Sequence, residues 1–222
     1  KEYDLQILPE GGHILAEVPN SIGVKLIDAS GASAIFNNGK LLDSKGNSII
    51  TFKSNQFGLS KFNFTPQPQE KYSLEVTTIQ DKVIKQSLPE IDLRGLNILG
   101  NNLPDQIFIK LNANANSEYL IRDKTFYAAI HQNGRIKDFT FQFPKDQLEV
   151  NLNFSKDSLF SGINTITIFD ENFNPLVERL FFNRKNIKRT RVKASFNSII
   201  SDSIKIDLKS IKNITNNSLS IS

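Results

Sequence analysis

The sequence contains no cysteine, no methionine and no tryptophan, and it has only two histidines among 222 residues. The absence of cysteine excludes disulfides, thiol nucleophiles and thiolate metal sites, and it leaves the redox compartment open. Two histidines leave little material for imidazole-based metal binding or acid–base catalysis. Because the chain starts at Lys1 and has no methionine, we expect a processed piece of a longer protein, with any signal peptide outside it.

The overall composition is that of a folded, water-compatible chain. Hydrophobic residues make up 39% and charged residues 23%, and the formal net charge is +4. No stretch approaches the roughly 18 consecutive apolar residues of a membrane-spanning helix. The length fits one large or two ordinary domains.

Apolar residues alternate with polar ones in several segments. Phe139, Phe141 and Phe143 alternate with polar residues, and the same period of two recurs over 150–154 and 204–208. This alternation is typical of half-buried antiparallel strands. No window shows helical spacing with capping residues, so the sequence predicts an all-β protein.

Turn signals separate these segments. Asn38-Gly39, Lys45-Gly46-Asn47 and Asn133-Gly134 supply residues that tolerate positive φ. Two hairpins are therefore predicted, over Leu41–Phe52 and Phe126–Phe143. Short strands every 8 to 12 residues predict tandem immunoglobulin-like β-sandwiches.

Strand counts divide the chain. Residues 1–78 and residues 89–183 each supply about seven strands, as an immunoglobulin-like sandwich requires. Residues 79–88 are polar and precede Pro89, which favours an extended linker. Residues 184–222 are predicted to form a basic linker and the first strands of a third, incomplete sandwich.

Several motifs resemble a known family. The segment Leu5–His13 contains Pro-Glu-Gly-Gly, the hairpin Leu42–Phe52 follows, and Phe62-Asn-Phe-Thr-Pro66 precedes Tyr72. In the second half, Gly162–Glu171 and Pro175–Phe182 have the pattern of a closing hairpin. Together these motifs resemble macroglobulin-like domains of large exported proteins of Bacteroidota.

The resemblance implies fold and location but no catalytic residues. Proteins of this family are often exported to the periplasm or outer membrane, and some carry a TonB-receptor plug-like domain. The resemblance therefore implies tandem sandwiches in a cell-envelope protein. Gln69 and Phe173 stand where the family usually has turn glycines. The thioester of the true macroglobulins needs a cysteine, which this chain lacks.

Candidate catalytic residues are few, and we expect no enzyme, no cofactor and no metal. His13 follows Glu10-Gly11-Gly12, a pattern that favours a strand bend over acid–base chemistry. His131 is predicted to be a strand residue beside a hairpin. Glu178-Arg179 suggests a structural ion pair, and the acidic segment 170–174 is either a turn or a calcium loop, of which the turn is favoured.

The strongest charge signal is a basic stretch of six cations in ten residues. We expect a solvated basic face that contacts a protein partner or an anionic surface, such as membrane headgroups or a glycan. Nucleic acid is not expected, because stacking aromatic residues do not accompany the cations. The candidate contact residues are Arg184, Lys185, Lys188, Arg189, Arg191 and Lys193.

Two Asp-Ser-aliphatic triplets match an O-glycosylation acceptor, at Ser158 and Ser203. Taken together, the residues and the resemblance predict a non-enzymatic scaffold or accessory module of an outer-membrane protein, which binds another envelope component. Two alternatives stay open: a polysaccharide- or peptide-binding module in nutrient uptake, and an accessory domain of a hydrolase outside this segment. The seventeen phenylalanines alternate with polar residues, which indicates core rather than sugar-binding platforms.

Overall fold

The computed structural model describes residues 2–187, 192–200 and 203–210, and the chain separates into two compact units. The first unit extends to Lys185 and contains two hydrophobic cores. The second unit begins at Asn186 and contains an antiparallel hairpin.

The first sandwich packs a three-stranded sheet, ordered β1-β3-β6, against a four-stranded sheet, ordered β5-β4-β7-β8. Its core consists of alternating residues of both sheets, among them Leu26, Phe36 and Leu41, which are all almost fully buried. The strands are β1 (Tyr3–Pro9), β2 (Ile14–Leu15), β3 (Asn20–Asp28), β4 (Phe36–Leu42), β5 (Ser48–Phe52), β6 (Leu59–Phe64), β7 (Ser73–Thr78) and β8 (Val83–Ser87).

The second sandwich is built in the same way, with sheets ordered β10-β11-β14 and β13-β12-β15-β16. Its core includes Ile98, Ile109 and Ile130, which are fully buried. The strands are β9 (Ile91–Asp92), which precedes the sandwich, then β10 (Leu96–Asn102), β11 (Gln106–Ala113), β12 (Phe126–Gln132), β13 (Arg135–Phe141), β14 (Glu149–Ser155), β15 (Gly162–Phe169) and β16 (Pro175–Asn183).

The two sandwiches share one topology. The short strands β2 and β9 pair only with each other, and without them each sandwich has seven strands among the described residues. In each sandwich, the first, second and fifth of these strands form one sheet, and the fourth, third, sixth and seventh form the other. Seven antiparallel strands in two packed sheets are the immunoglobulin-like arrangement. The predicted all-β fold of tandem immunoglobulin-like sandwiches is confirmed.

Two of the three predicted turns are confirmed. Asn133 and Gly134 have φ of 47° and 76° and close the β12–β13 hairpin, and Gly46 has φ of 84° in the β4–β5 turn. The turn predicted at Asn38-Gly39 is wrong, because both residues lie inside β4. The register shifts there, and the ring of Phe52 covers the position that a Cβ of Gly39 would occupy.

The segment predicted as a linker, 79–88, contains the strand β8. This strand pairs with β7 and completes the four-stranded sheet, so the first sandwich extends past residue 78. The hairpin turn is stabilised by Thr78, whose Oγ1 accepts hydrogen bonds from the N–H groups of Gln80 and Lys82. The polar composition of the segment reflects an exposed edge strand, in which Ile84 packs on the core. The division into independently folding domains stays a prediction.

Aspartates cap three turns in a recurring way. In each, one carboxylate oxygen accepts the backbone N–H groups two and four residues later, and these hydrogen bonds hold the chain reversal. The three caps are Asp28, Asp43 and Asp170. Side-chain and backbone hydrogen bonds lower the pKa of all three carboxyl groups.

Gln69 and Phe173, where the sequence resemblance predicts turn glycines, have a left-handed backbone. Both residues have φ of 62°. The ring of Phe173 stacks on Tyr127 with centroids 4.7 Å apart, a contact that offsets part of the backbone strain.

Helix is scarce in the described part of the chain. The α-helix α1 (Glu118–Ile121) follows a 3₁₀ turn at Ala115–Ser117, and a second 3₁₀ turn covers Lys156–Ser158. None of the described helices is long and apolar enough to cross a bilayer.

The second unit contains β17 (Val192–Ile200) and β18 (Ser203–Ser210), which pair antiparallel with one register shift. Residues 188–191, 201–202 and 211–222 lie outside the described residues. The third, incomplete sandwich stays a prediction.

Candidate functional site

The two sandwiches of the first unit meet at a junction that is bonded through backbone, buried amides and one ion pair. Its first component is a short parallel pairing between β2, which precedes β3, and β9, which connects the sandwiches. Ile14, Leu15 and Ala16 are fully buried there, and the N–H of Ala16 donates to the Asp92 carbonyl at 2.9 Å. The connecting segment is therefore fixed to the first sandwich.

The second component is the loop that contains Pro-Glu-Gly-Gly. Gly11 and Gly12 have φ of 87° and 90°, which glycine adopts without a steric penalty. A Cβ at Gly11 would lie 2.8 Å from Cγ2 of Ile98, a core residue of the second sandwich. The two glycines thus permit the bend that the sequence predicted. Gly11 also permits the close approach of the two sandwiches.

Glu10 of the same loop bridges both sandwiches. Its Oε1 accepts the N–H of Gly100 at 3.1 Å and pairs with the guanidinium of Arg179, and its Oε2 lies 3.4 Å from Nζ of Lys61. The side chains of Glu10 and Arg179 are only 12% and 19% exposed. A Cβ at Gly100 would overlap the guanidinium, so glycine is needed where Arg179 crosses β10. The ion pair expected at Arg179 is therefore structural and joins the two sandwiches.

A buried amide network forms the third component. Asn20 Oδ1 accepts the N–H of Leu15 at 2.9 Å and Nδ2 of Asn97 at 3.0 Å. Asn20 Nδ2 donates to the carbonyls of Leu15 and Val18. Asn97 belongs to the second sandwich, so this hydrogen bond crosses the junction between two side chains that are almost fully buried.

Asn114, a residue of the second sandwich, also donates a hydrogen bond to the first sandwich. Its Nδ2 donates to the carbonyl of Ala16 at 3.1 Å and to that of Leu93 at 2.9 Å. Its Oδ1 accepts a hydrogen bond from the hydroxyl group of Ser117. The oxygen of that hydroxyl accepts a hydrogen bond from the N–H of Gly95. Buried amides with these partners give directional bonds in a low dielectric, where their loss is costly.

The junction fastens the two sandwiches to each other. His13 is half-buried beside Gly95, and the carboxylate of Glu10 is already occupied by donors. In the described parts of the chain, no three His, Cys, Asp or Glu side chains converge as a metal site would require.

A row of hydrogen-bonded polar side chains crosses the four-stranded sheet of the second sandwich. His131 Nε2 lies 3.2 Å from Oγ1 of Thr167, which donates to Glu178 at 2.9 Å. His131 lies at the end of β12 beside the hairpin turn, as predicted. The row links three adjacent strands on the outer face of the sheet.

The acidic segment at residues 170–174 is a turn. Asp170 Oδ1 accepts two backbone N–H groups of the turn, and Oδ2 accepts the side-chain amide of Asn174 at 2.9 Å. The carboxylate that a calcium loop would use thus accepts hydrogen bonds within the turn. The segment is the turn that the sequence favoured.

The two predicted contact residues that belong to the first unit, Arg184 and Lys185, are not part of the junction. Arg184 is exposed, and Lys185 pairs with Asp157 at 2.7 Å and with Asp105 at 3.5 Å, contacts that raise the pKa of its ammonium group. Lys193 is exposed on β17. Lys188, Arg189 and Arg191 lie outside the described residues.

Of the two predicted glycosylation acceptors, Ser158 is exposed in a 3₁₀ turn, where its Oγ donates to the carbonyl of Ser155. Ser203 begins β18, and its side chain lies outside the described residues. Modification of either serine stays a prediction.

The sequence did not identify the junction residues. Asn97 interrupts the apolar run Leu96–Leu99, and a polar residue inside such a run is the one local signal of a buried amide. Asn20 and Asn114 stand at the start of β3 and after β11, where the sequence offers no such contrast.

No protein-family model and no curated protein matches the chain. Among solved structures, it is similar to the native conformation of the alpha-2-macroglobulin of E. coli, with 10% identity and a TM-score of 0.28. That match covers 95% of this chain but 18% of the other. The immunoglobulin-like assignment accordingly rests on the strand order and register described above. The family, a Bacteroidota origin and a TonB plug-like domain stay predictions.

Proposed function

We propose that this chain is a non-enzymatic spacer and protein-interaction module, in which two sandwiches form one rigid body. The observation that carries the proposal is the junction, because a flexible string of domains would not require a buried ion pair and cross-sandwich amide bonds. Inter-domain surfaces within a chain are usually more mobile than this. A rigid pair holds its two ends at a fixed separation and angle.

The wider setting that we propose is a larger exported protein of the cell envelope, associated with the outer membrane. Support comes from the sequence resemblance and from the repeated sandwiches. In this setting the module positions a partner-binding surface of the same polypeptide. The partner would be another envelope protein, bound through an exposed sheet edge or face.

Rigidity can be measured directly, because the chain has no cysteine to compete with introduced labels. Spin labels at Lys53→Cys and Lys145→Cys place one exposed probe on each sandwich. Double electron–electron resonance should give a narrow distance distribution that broadens when Asn97→Ala is added. A broad distribution without that substitution would contradict the spacer function.

Partner binding is tested by mild cross-linking in native membranes, pull-down of the full-length protein and mass spectrometry. Reproducible recovery of an envelope component, lost when residues 1–185 are deleted, would support the interaction function. Recovery of the protein alone would contradict it.

A second candidate function is peptide binding at the loops of the second sandwich. A cavity of ≈ 380 Å³ lies between α1 and the β15–β16 turn, and its lining includes Leu96, Tyr119, Leu120 and Phe126. Tyr119 is 61% exposed beside this cavity. Loops at one end of an immunoglobulin-like sandwich commonly bind ligands, and a mainly apolar lining suits a peptide side chain better than a sugar.

Selection from a random peptide library tests this candidate. Enriched peptides should carry a recurrent apolar residue and lose binding to Tyr119→Ala. Phe57→Ala, which removes a similarly exposed aromatic ring from the first sandwich, should leave binding unchanged. The absence of any enriched motif would contradict the candidate.

A further inference from the structure

Four chain segments meet at the end of the second sandwich that is opposite the amide network of the junction. Lys156, in the second 3₁₀ turn, donates its ammonium to the carbonyls of Leu103 and Pro104 in the β10–β11 turn. Asn183, at the end of β16, donates to the carbonyl of Lys156 at 2.9 Å. Lys137 of β13 donates to the carbonyl of Ser158. These contacts make one continuous surface from residues far apart in sequence.

This surface is basic. Four cations reach the surface there, above the buried Lys156, and the two carboxylates among the described residues that contact them are Asp105 and Asp157, both paired with Lys185. The guanidinium of Arg135 lies 4.3 Å from the ring centre of Phe160. We call this surface the basic tip; its cations are Arg135, Lys137, Arg184 and Lys185.

Large apolar side chains are exposed at the same end of the sandwich. Ile136 is 63% exposed on the outer face of the sheet, opposite to the face of its neighbours Arg135 and Lys137, and Leu103 is 46% exposed in the β10–β11 turn. Ile163 and Phe182 pair across β15 and β16 and are 59% and 42% exposed. Exposed apolar groups of this size are individually ordinary, but several of them beside cations at one end of a sandwich are characteristic of an interaction site.

We propose that the basic tip docks on an anionic membrane surface. Cations gain about 1 kcal/mol each near a negatively charged bilayer, which corresponds to about a fivefold gain in binding per charge. Apolar side chains beside them enter the headgroup region, and lysine and arginine stems accommodate the boundary between the two. The combination of an excess of cations with exposed Ile136, Ile163 and Leu103 matches both properties of that surface.

Two further observations fit a bilayer better than a nucleic acid. The cations of Arg135 and Lys137 already lie over the ring of Phe160, so a base could stack there only by displacing them. The carboxylates of Asp138 and Glu178 lie in the next row of the sheet, about 7 Å farther along the strands. They limit how deeply the tip can enter, which is consistent with a peripheral contact.

This inference goes beyond the proposed spacer function and does not depend on it. Vesicle binding is measured separately from the distance between the sandwiches, so either property can fail while the other holds.

The test is partition of the full chain onto vesicles by co-sedimentation. Vesicles of phosphatidylcholine alone are compared with equal parts of phosphatidylcholine and phosphatidylglycerol, at about 0.15 M salt and at lower salt. We expect binding to the anionic vesicles alone, weakened by salt. Arg135→Gln with Lys137→Gln should lower the partition coefficient about 25-fold.

Matched variants separate local from general effects. Lys45→Gln with Lys53→Gln removes two exposed cations from the corresponding hairpin of the first sandwich and should lower binding far less. Ile136→Ser should also weaken binding, whereas Ile49→Ser, at a residue 48% exposed on β5, should not. Urea midpoints of all variants establish that each remains folded.

Several outcomes would overturn the proposal. These are equal binding to neutral and anionic vesicles, no binding of the intact chain, and equal losses in the tip and control variants. Tighter binding to DNA than to anionic vesicles at the same salt would replace the membrane with a nucleic acid.

Discussion

The replacement Asn20→Ala tests whether the buried amide network holds the two sandwiches together. Asn20 is fully buried and makes four hydrogen bonds of 2.7–3.0 Å, three to backbone groups of its own loop and one to Asn97. Alanine removes all four and puts no polar atom in their place. The buried N–H and C=O of Leu15, the C=O of Val18 and the amide of Asn97 then lose this partner.

The expected loss of stability follows from the number of buried polar groups that lose their hydrogen-bond partner. A buried polar group without its partner costs about 1–3 kcal/mol, and water entering the small void recovers part of the loss. Four such groups, partly rehydrated, give a decrease in the free energy of unfolding of about 3–5 kcal/mol. With a urea m-value of about 2–3 kcal/mol/M, the unfolding midpoint should fall by about 1.5 M.

The assay is equilibrium unfolding in urea, followed by circular dichroism and tyrosine fluorescence. The matched control is Asn63→Ala, at an exposed position of the adjacent strand β6, which should change stability by no more than about 0.5 kcal/mol. A loss below about 1 kcal/mol for Asn20→Ala, or a loss equal to the control, would refute the structural role of the network.

Three further substitutions test separate parts of the structure. Gly11→Ala should destabilise by about 1–2 kcal/mol more than Gly46→Ala in urea unfolding, since both have positive φ but only the first would bring a Cβ against Ile98. Arg179→Met should cost about 2 kcal/mol, because the mostly buried carboxylate of Glu10 loses its closest cation and keeps Lys61, at 3.4 Å, and the Gly100 N–H; an unchanged midpoint would contradict the bridge. The pKa of Asp43 is lower in the folded than in the unfolded state, so its stabilisation is present above the unfolded value near 3.8 and is lost as pH falls through the folded value. Asp43→Asn should therefore reduce the loss of stability on acidification, as seen from urea midpoints measured across the acidic range.

Much of the fold could be predicted because its determinants are local. A period of two selects strands, and Asn133-Gly134 selects a tight hairpin, since both properties depend on neighbouring residues. The errors arose where tertiary packing overrides a local preference. Asn38-Gly39 has turn chemistry, but the packing of Phe52 against Gly39 keeps it inside β4. The polar segment 79–88 contains an edge strand, which needs only one apolar contact with the core.

The junction could not be predicted, because its bonds join residues that are distant in sequence. Asn20 and Asn97 are 77 positions apart, and Gly100 contacts a carboxylate 90 positions away. Pairing of this kind depends on how two finished sandwiches meet, and alternation within a strand has no bearing on it. The motif Pro-Glu-Gly-Gly did indicate a bend, but nothing local indicates that Glu10 faces Arg179.

The amide network of the junction and the basic tip lie at opposite ends of the second sandwich, and this separation has a measurable consequence. Asn97 is near the start of β10 and Leu103 follows its end, so about six residues of extended chain, or roughly 20 Å, lie between them. Substitutions more than about 10 Å apart without shared partners usually have additive effects. Asn97→Ala should therefore broaden the distance distribution between the sandwiches without changing vesicle partition, and Ile136→Ser should do the reverse. If the double variant loses more vesicle binding than Ile136→Ser alone, the tip depends on the first sandwich, and the two ends do not act independently.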